Sequence, residues 1–396
     1  MKIDFVKEAE SIREEIIALR REIHQNPELG NQEFETSRLI QTFLRQNDIE
    51  VETMLDTAVV GVLRGAYPGK TVAFRADMDA LPIQEETGVP YASQKPGLMH
   101  ACGHDAHVAA LLGAAKLLAQ HRDQLHGNVK FFFQPDEEGW GGAKRMVAAG
   151  CMKNPDVDAV FGTHIVPGTP TGVFKVKTGN TYAASSMFEI TVHGRQTHGA
   201  APSMGIDPIV VGSQIVMALQ TIVSRRRDVI GQPTLLTITS FHCGNGYSII
   251  SSEAKLSGMH RTYGIENRDK VDQLIRKIAQ GVAEANDATV DVEITHGYTG
   301  VINQKRPAEL VARSARELFG EDSVRESVPG MGTEDFGYFN EEVEGAYFLS
   351  GAGNPEVSPY YPGHNSRYMI DEAAIPKMAA LHAQIAVNFL TEEAGE

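Results

Sequence analysis

The sequence predicts an α/β protein of two domains, one inserted into the other. Three observations carry that expectation. At 396 residues the chain exceeds one ordinary domain. Over most of its length, short apolar runs without strict alternation are interleaved with helical stretches, the pattern of a sheet covered on both faces. Between about residues 186 and 297 the rhythm changes to β-α-β-β-α-β, the order of a ferredoxin-like split motif. The expected division is 1–185 with 298–396 as the α/β domain, and 186–297 as an inserted α+β domain.

Taken in order, residues 4–23 form an amphipathic helix with Ile12, Ile16, Leu19 and Ile23 on one stripe. Residues 59–63 and 71–74 are strands, 107–120 a buried helix, 129–133 a strand and 158–164 another. In the insertion, 187–193 alternates as a strand. Residues 207–225 form a helix, with Asp207 as its cap and Pro208 in its first turn. Residues 234–240 and 253–261 are strands joined by a Gly-containing loop. Residues 268–284 make a helix with Val271, Leu274, Ile275, Ile278 and Val282 on one face, and 289–295 alternates as the closing strand. From about residue 298 the α/β character resumes.

Composition narrows the function. Hydrophobic content of 42% and charged content of 22% describe a globular chain with ample core. The net charge is −15, and the densest basic run, Arg225-Arg226-Arg227, closes a helix where cations complement the dipole. Nucleic acid is therefore not an expected partner. No stretch of eighteen residues is apolar and the first fifteen residues carry no signal, so no membrane association is expected. Three cysteines, far apart and odd in number, fit a reducing compartment, and a cytoplasmic location is expected.

The chemistry concentrates in two motifs. Residues 99–105 read Met-His-Ala-Cys-Gly-His-Asp, and residues 134–139 read Gln-Pro-Asp-Glu-Glu-Gly. Cys102 and His104 stand at i and i+2, which share a face of extended backbone, so both can point at one ion. Glu137 and Glu138 are neighbours and point in different directions. One can bind metal while the other handles the protons of an activated water, the ingredients of a site that splits an amide. Two later histidines join them: His164, expected to close the strand AVFGTH, and His364 in Tyr-Pro-Gly-His-Asn. The carboxyl ends of strands are where α/β folds assemble sites. A Cys-Gly-His-Asp run alone reads equally well as a buried thiol with a capping Asp; the Glu pair favours metal. His100 and His107 compete with His104, and spacing alone does not choose between them.

Three further motifs are ambiguous on residues alone. Asp77 and Asp79, in RADMDALP beyond a strand, could buttress metal ligands from behind or cap the turn before Pro82. His198, in a Gly- and Pro-flanked loop, is either solvated or reaches another surface. Glu334-Asp335 in MGTEDF either shapes a site or caps a helical turn.

Together RADMDALP, MHACGHDAH, QPDEEG, FGTH, GRQTHGAAP, GTEDF and PGHN resemble the co-catalytic metallohydrolases that include aminoacylase and glutamate carboxypeptidases. More narrowly, the chain is similar to the subgroup of hippurate hydrolase, auxin-conjugate amidohydrolases, N-acetyldiaminopimelate deacetylase and aminobenzoyl-glutamate hydrolase. The likeness runs from about Arg21 to about residue 372. It implies a mixed-sheet catalytic domain and an inserted lid that also dimerises the protein. It implies two divalent ions about 3.5–4 Å apart, on Cys102, His104, Glu138, His164 and His364, with zinc ahead of manganese, cobalt or nickel. Glu137 becomes the general base and then the general acid, and Asp79 orients a ligand. In a homodimer or higher oligomer formed through the insertion, His198 would reach the partner's site and stabilise the tetrahedral oxyanion. Arg261 would grip the free carboxylate of a small-molecule substrate, a task its planar fork suits.

The likeness breaks beside that carboxylate pocket. Ser248-Ile249-Ile250-Ser251 replaces the usual Asn-Val-Ile-Pro, Met259 the usual Thr, and His260 a small apolar residue. Ser248 thus becomes a substrate-binding candidate with altered reach. The leading reading is a metal-dependent amidohydrolase of N-acyl amino acids or related conjugates. The alternative is a dipeptidase or carboxypeptidase using the same dinuclear site. A silent binding protein would have lost Glu137, which is present, and a dehydrogenase would need a Gly-x-Gly-x-x-Gly after an early strand.

Overall fold

The computed structural model describes residues 3–139, 141–244, 246–357 and 359–393. They form two compact units. Unit 1 runs to Thr181 and resumes over Ile302–Val328 and from Asp335; unit 2 is Tyr182–Val301 with Pro329–Glu334.

Unit 1 opens with helices α1 (Phe5–Ser11), α2 (Arg13–Gln25) and α3 (Phe34–Gln46), then strands β1 (Glu50–Met54), β2 (Ala58–Arg64) and β3 (Tyr67–Asp77). Helix α4 (His104–Gln120), β4 (His126–Gln134), α5 (Gly142–Ala148), β5 (Ala159–Pro170) and β6 (Phe174–Val176) follow, and β7 (Gly179–Tyr182) ends the segment. Unit 2 contains β8 (Ala184–His193), β9 (Thr197–His198), α6 (Pro208–Thr221), β10 (Thr234–Cys243), β11 (Ile249–Ile250), β12 (Glu253–Thr262), α7 (Ile265–Glu284) and β13 (Thr289–His296). The chain returns through β14 (Val301–Asn303), α8 (Lys305–Phe319), β15 (Val324–Glu326), α9 (Gly337–Glu342), β16 (Glu344–Gly353) and α10 (Ala374–Glu393).

Eight strands of unit 1 make one mixed sheet in the order β1-β2-β4-β3-β5-β16-β6-β15. Its centre, β4-β3-β5-β16, is parallel, while β1, β2 and β6 join antiparallel. Strands covered on both faces explain runs such as Ala58-Val-Val-Gly-Val-Leu63 of β2, where every residue is buried. Helix α4 lies almost wholly inside, with Leu111, Leu112, Leu117 and Leu118 fully covered. Gly113 lets its neighbours in: a Cβ there would stand 3.0 Å from Ala379 of α10 and 3.2 Å from Ile16 of α2.

The helix expected over 4–23 is two helices. Ser11 turns its hydroxyl back onto the Glu8 carbonyl, and the Ile12 N–H donates to Glu10, so the ladder breaks at Ile12. Ile16 and Ile23 still face the core. The helix expected from 107 begins three residues earlier, at His104. The strand expected to close at His164 instead runs on to Pro170, paired with β16, although its pairing with β3 ends at Gly162.

Unit 2 is a four-stranded antiparallel sheet in the order β10-β12-β8-β13, crossed by α6 and α7, so the βαββαβ order does give the ferredoxin-like arrangement. Phe188, Ile190 and Val192 alternate inward from β8 against Val211, Ile215 and Leu219 of α6 and Val271, Ile275 and Ala279 of α7. Asp207 caps α6, accepting from the Ile209 N–H at 2.9 Å, with Pro208 at the first position. Helix α6 with the turn after it, Pro208–Arg226, is apolar enough by composition to cross a membrane. Val211, Ile215 and Leu219 of that stretch pack on the sheet, while Ile209, Val210 and Met217 are exposed.

Candidate metal centre

The site is assembled by loops at the ends of unit 1 strands and by the start of α4. Cys102 and His104 flank Gly103, whose φ of 89° is the left-handed region. A Cβ at Gly103 would also come within 2.5 Å of Ile165 and 2.8 Å of the Tyr368 hydroxyl, so this turn requires glycine. His104 Nδ1 stands 2.9 Å from the Asp79 carbonyl and 3.2 Å from its carboxylate. A proton on Nδ1 is therefore held by Asp79, and Nε2, buried without a hydrogen-bond partner, is left facing the site.

His164 is fixed the same way. Its Nδ1 lies 2.8 Å from the Ile165 carbonyl, and its Nε2 is 3.2 Å from the Cys102 sulfur. Glu138 donates its backbone N–H to Asp79 Oδ2 at 3.0 Å, and its Oε1 meets His364 Nε2 at 3.0 Å. His364 itself sits at φ 63° and donates its N–H to the Ala101 carbonyl. The ligand atoms fall into triads with all atoms within 4.8 Å: Cys102 with His104 and His164, Cys102 with Glu138 and His364, and His104 with Glu137 and Glu138. Cys102 belongs to the first two triads, so its sulfur lies between two candidate cation positions.

The competing histidines separate clearly. His107 accepts the Ile165 N–H on Nε2 at 2.8 Å and presents Nδ1 to Asp77 at 2.5 Å, so both ring nitrogens are used. His107 is thus a support for the strand that carries His164. His100 is wholly buried with neither nitrogen hydrogen-bonded, and burial pulls its pKa down to about 3.

Behind these residues lies a set of buried ions. Arg75 reaches Asp77 at 2.7 Å, Asp335 at 2.8 Å and Gln134 at 2.7 Å. Asp335 also accepts from Gln134 and the Ala143 N–H, so this member of GTEDF is a structural clamp. On the far side of α4, Asp105 takes Arg20 and His24, each at 2.7 Å, and His24 faces Glu85. Arg75, Arg20 and His24 had no assigned role in the sequence. The available signal was polar residues at apolar-stripe positions: Arg20 and His24 share the buried side of α2 with Ile16 and Ile23.

The electrostatics call for positive charge. Burial pushes the Cys102 thiol up to about 12, only partly offset by His104, so the thiolate forms only against a cation. Burial disfavours protonation of His104, but Asp77 and Cys102 outweigh it and raise its pKa well above the usual imidazole range. Burial also pulls His164 down to about 3, which leaves a neutral, ligand-competent ring. Thiolate, imidazole and carboxylate donors around an unpartnered His104 Nε2 fit zinc-class divalent ions.

The remaining candidates belong to unit 2. His198 is exposed on β9, paired with Ile249 of β11, and its Nδ1 accepts the Ala200 N–H at 3.0 Å. That bond puts the ring proton on Nε2. Ser248 is exposed, and its carbonyl accepts the Gly199 N–H at 2.7 Å, so the Ser248 turn and the His198 loop form one unit. Arg261, half-buried on β12, donates Nη1 to the Met331 carbonyl at 2.9 Å, while its Nε is buried without a hydrogen-bond partner. Burial pulls its pKa below the ordinary value.

Paired cation positions at the end of a mixed α/β sheet, with a second carboxylate beside them, are the working parts of a two-metal hydrolase. The chain belongs to Peptidase family M20/M25/M40, whose model matches residues 73–388. It is 40% identical to thermostable carboxypeptidase 2 of Saccharolobus solfataricus, over 96% of this chain and 97% of that one. It is 37% identical to hippurate hydrolase of Campylobacter jejuni, over 98% of this chain and all of that one. Among solved structures, a dinuclear metal-binding peptidase of the family from Bacillus subtilis superposes with a TM-score of 0.86 at 32% identity, covering 96% of this chain and 99% of that one. The chain is a hydrolase of amide or peptide bonds with a dinuclear metal centre.

Proposed function

We propose that this hydrolase releases the acyl group from N-acyl amino acids or similar small conjugates that carry a free carboxylate. The observation that carries the reading is the Glu pair: Glu138 is pinned through Asp79 and His364, while Glu137 sits beside it among the same donors. Cys102, His104, Glu138, His164 and His364 would hold two divalent ions, zinc first, with manganese, cobalt or nickel as alternatives. When bound, such ions supply Lewis acidity to the amide carbonyl and acidify water. Glu137 takes the proton of the attacking water and passes it to the departing amine. Asp79 holds both His104 and the Glu138 backbone in place. His198 offers its Nε2–H to the tetrahedral oxygen, from the partner subunit of a homodimer formed through unit 2. Arg261, with a buried nitrogen lacking a partner, takes the carboxylate, and Ser248 tunes which leaving group fits. The protein works in the cytoplasm in this reading.

A carboxypeptidase reading uses the same residues on a free peptide, and the 40% identity to the archaeal carboxypeptidase favours keeping it. A panel decides between them: acyl-amino acids, dipeptides, and acyl amides lacking the carboxylate. Preference for acyl-amino acids over dipeptides supports the proposal, and equal turnover of acids and matching amides overturns it.

A further inference from the structure

Unit 2 holds a cluster of ligand-type side chains that hydrolysis does not use. His260 on β12, Ser186 on β8 and His296 on β13 occupy one cross-strand row, with Ser186 directly opposite each histidine. By strand alternation all three share the face that sends Phe188, Ile190 and Leu256 toward the helices. Helix α7 sets Asp272 over this row, and Asp269, three residues earlier, lies on the same side of the helix. The Asp272 carboxylate bridges the two rings: Oδ1 is 2.6 Å from His260 Nε2, and Oδ2 is 2.9 Å from His296 Nε2. Carboxylate oxygens of Asp269 and Asp272 and a ring nitrogen of His296 lie within 4.8 Å of one another. Arg268 bonds Oδ1 of Asp269 through both Nε and Nη2.

A second observation points the same way. The Ser186 hydroxyl, wholly buried between the two histidines, has no hydrogen-bond partner, and neither has Nδ1 of the fully buried His260. Buried polar groups without partners are costly, so the row keeps hydrogen-bonding capacity beside the Asp272 carboxylate that the protein's own atoms do not use.

We propose that Asp269, Asp272 and His296 bind one divalent transition-metal ion, with His260 donating to Asp272 from behind and orienting it. Imidazole beside carboxylates favours zinc, cobalt or nickel over calcium and magnesium, which take oxygen ligands alone. Two ligands each about 2.0–2.1 Å from a tetrahedral ion stand about 3.3 Å apart. The 2.9 Å contact between His296 and Asp272 therefore has to open only slightly. The half-exposed His296 and Asp269 leave a path for the ion to enter. Bound there, the ion ties α7 to β13 and fastens the helix layer of unit 2 to its sheet.

The test compares wild type with His296→Gln and Asp269→Asn, two half-exposed positions whose replacement does not open the core. Each protein is loaded with cobalt, desalted and analysed for metal per chain. The expected result is one ion fewer in each variant than in wild type, with turnover unchanged and visible d–d absorption reduced. The near-ultraviolet thiolate-to-cobalt band, which reports Cys102, should stay the same in all three. Equal metal content in wild type and either variant overturns the proposal. So does a loss confined to the thiolate band, because the missing ion then came from the Cys102 cluster. A difference between proteins is read, so the outcome does not depend on how many ions the hydrolytic centre holds.

Discussion

His104 and His107 lie three residues apart on α4 and differ in what their Nε2 atoms meet. The difference is one backbone proton: the Ile165 N–H fills Nε2 of His107, whereas Nε2 of His104 stays unpartnered. Spacing could not reveal this, because the deciding group is 58 residues away on strand β5. Glu137 and Glu138 are adjacent in the sequence, and the two roles proposed for them separate by mutation. Replacing Glu137 with Gln should cut turnover by at least about 10²–10⁴ while metal content stays that of wild type. Loss of metal with that change would mean that the two glutamates have exchanged roles. Glu33 supplies a pH prediction. Burial lifts its carboxyl from 4.5 to about 7, against hydrogen bonds from Thr57 and the Asp136 N–H. The folded state therefore keeps a proton that the unfolded chain releases, and stability falls as pH rises between those values. The shift corresponds to on the order of 3 kcal/mol. Glu33→Gln should flatten that slope in denaturant titrations across the window. Parallel stability–pH curves for the two proteins would place the titration elsewhere.

Elements that carry strong periodicity were readable, and those organised by distant contacts were not. The α2 stripe, the capped start of α6 and the alternation of β8 all follow from local pattern. The break at Ile12 and the run of β5 past His164 depend on a hydroxyl turned onto a carbonyl and on pairing with β16. The Arg75–Asp335 clamp joins residues 260 apart and leaves no local trace. The entry to α4 combines both kinds of information. Gly103 stands between two candidate ligands and is read from the motif, yet its necessity comes from Ile165 and Tyr368. Gly103→Ala forces a side chain into the left-handed region, at a cost of at least about 1–2 kcal/mol, and into those two neighbours. The expected outcome is weaker metal retention on dialysis, out of proportion to any loss of helix content by circular dichroism. Metal retention equal to wild type would show that the turn relaxes freely.

Over the whole molecule, the order of seven motifs made the architecture readable, because each falls on a strand end, helix start or loop that the α/β rhythm already located. What a single chain does not encode locally is how many chains complete one reaction centre. His198 belongs to unit 2, whereas Cys102, His104, Glu138, His164 and His364 belong to unit 1. Its loop is exposed, and its Nδ1 is committed to the Ala200 N–H, so Nε2–H points outward as a donor awaiting an acceptor. If that acceptor is the tetrahedral oxygen of a substrate on the partner's metal centre, His198→Ala and Glu137→Gln fail for different reasons. Each should be nearly inactive alone. A mixed dimer, however, contains one centre with both residues intact, contributed by different chains. At equal mixing, random exchange makes half of the dimers mixed, each with one competent centre, so about a quarter of wild-type turnover should return. Acting within its own chain, His198 predicts no recovery at all, since no subunit then carries both groups. The measurement is turnover against mixing ratio after subunit exchange has been verified by differently tagged chains. A flat baseline at every ratio rules out action across the interface.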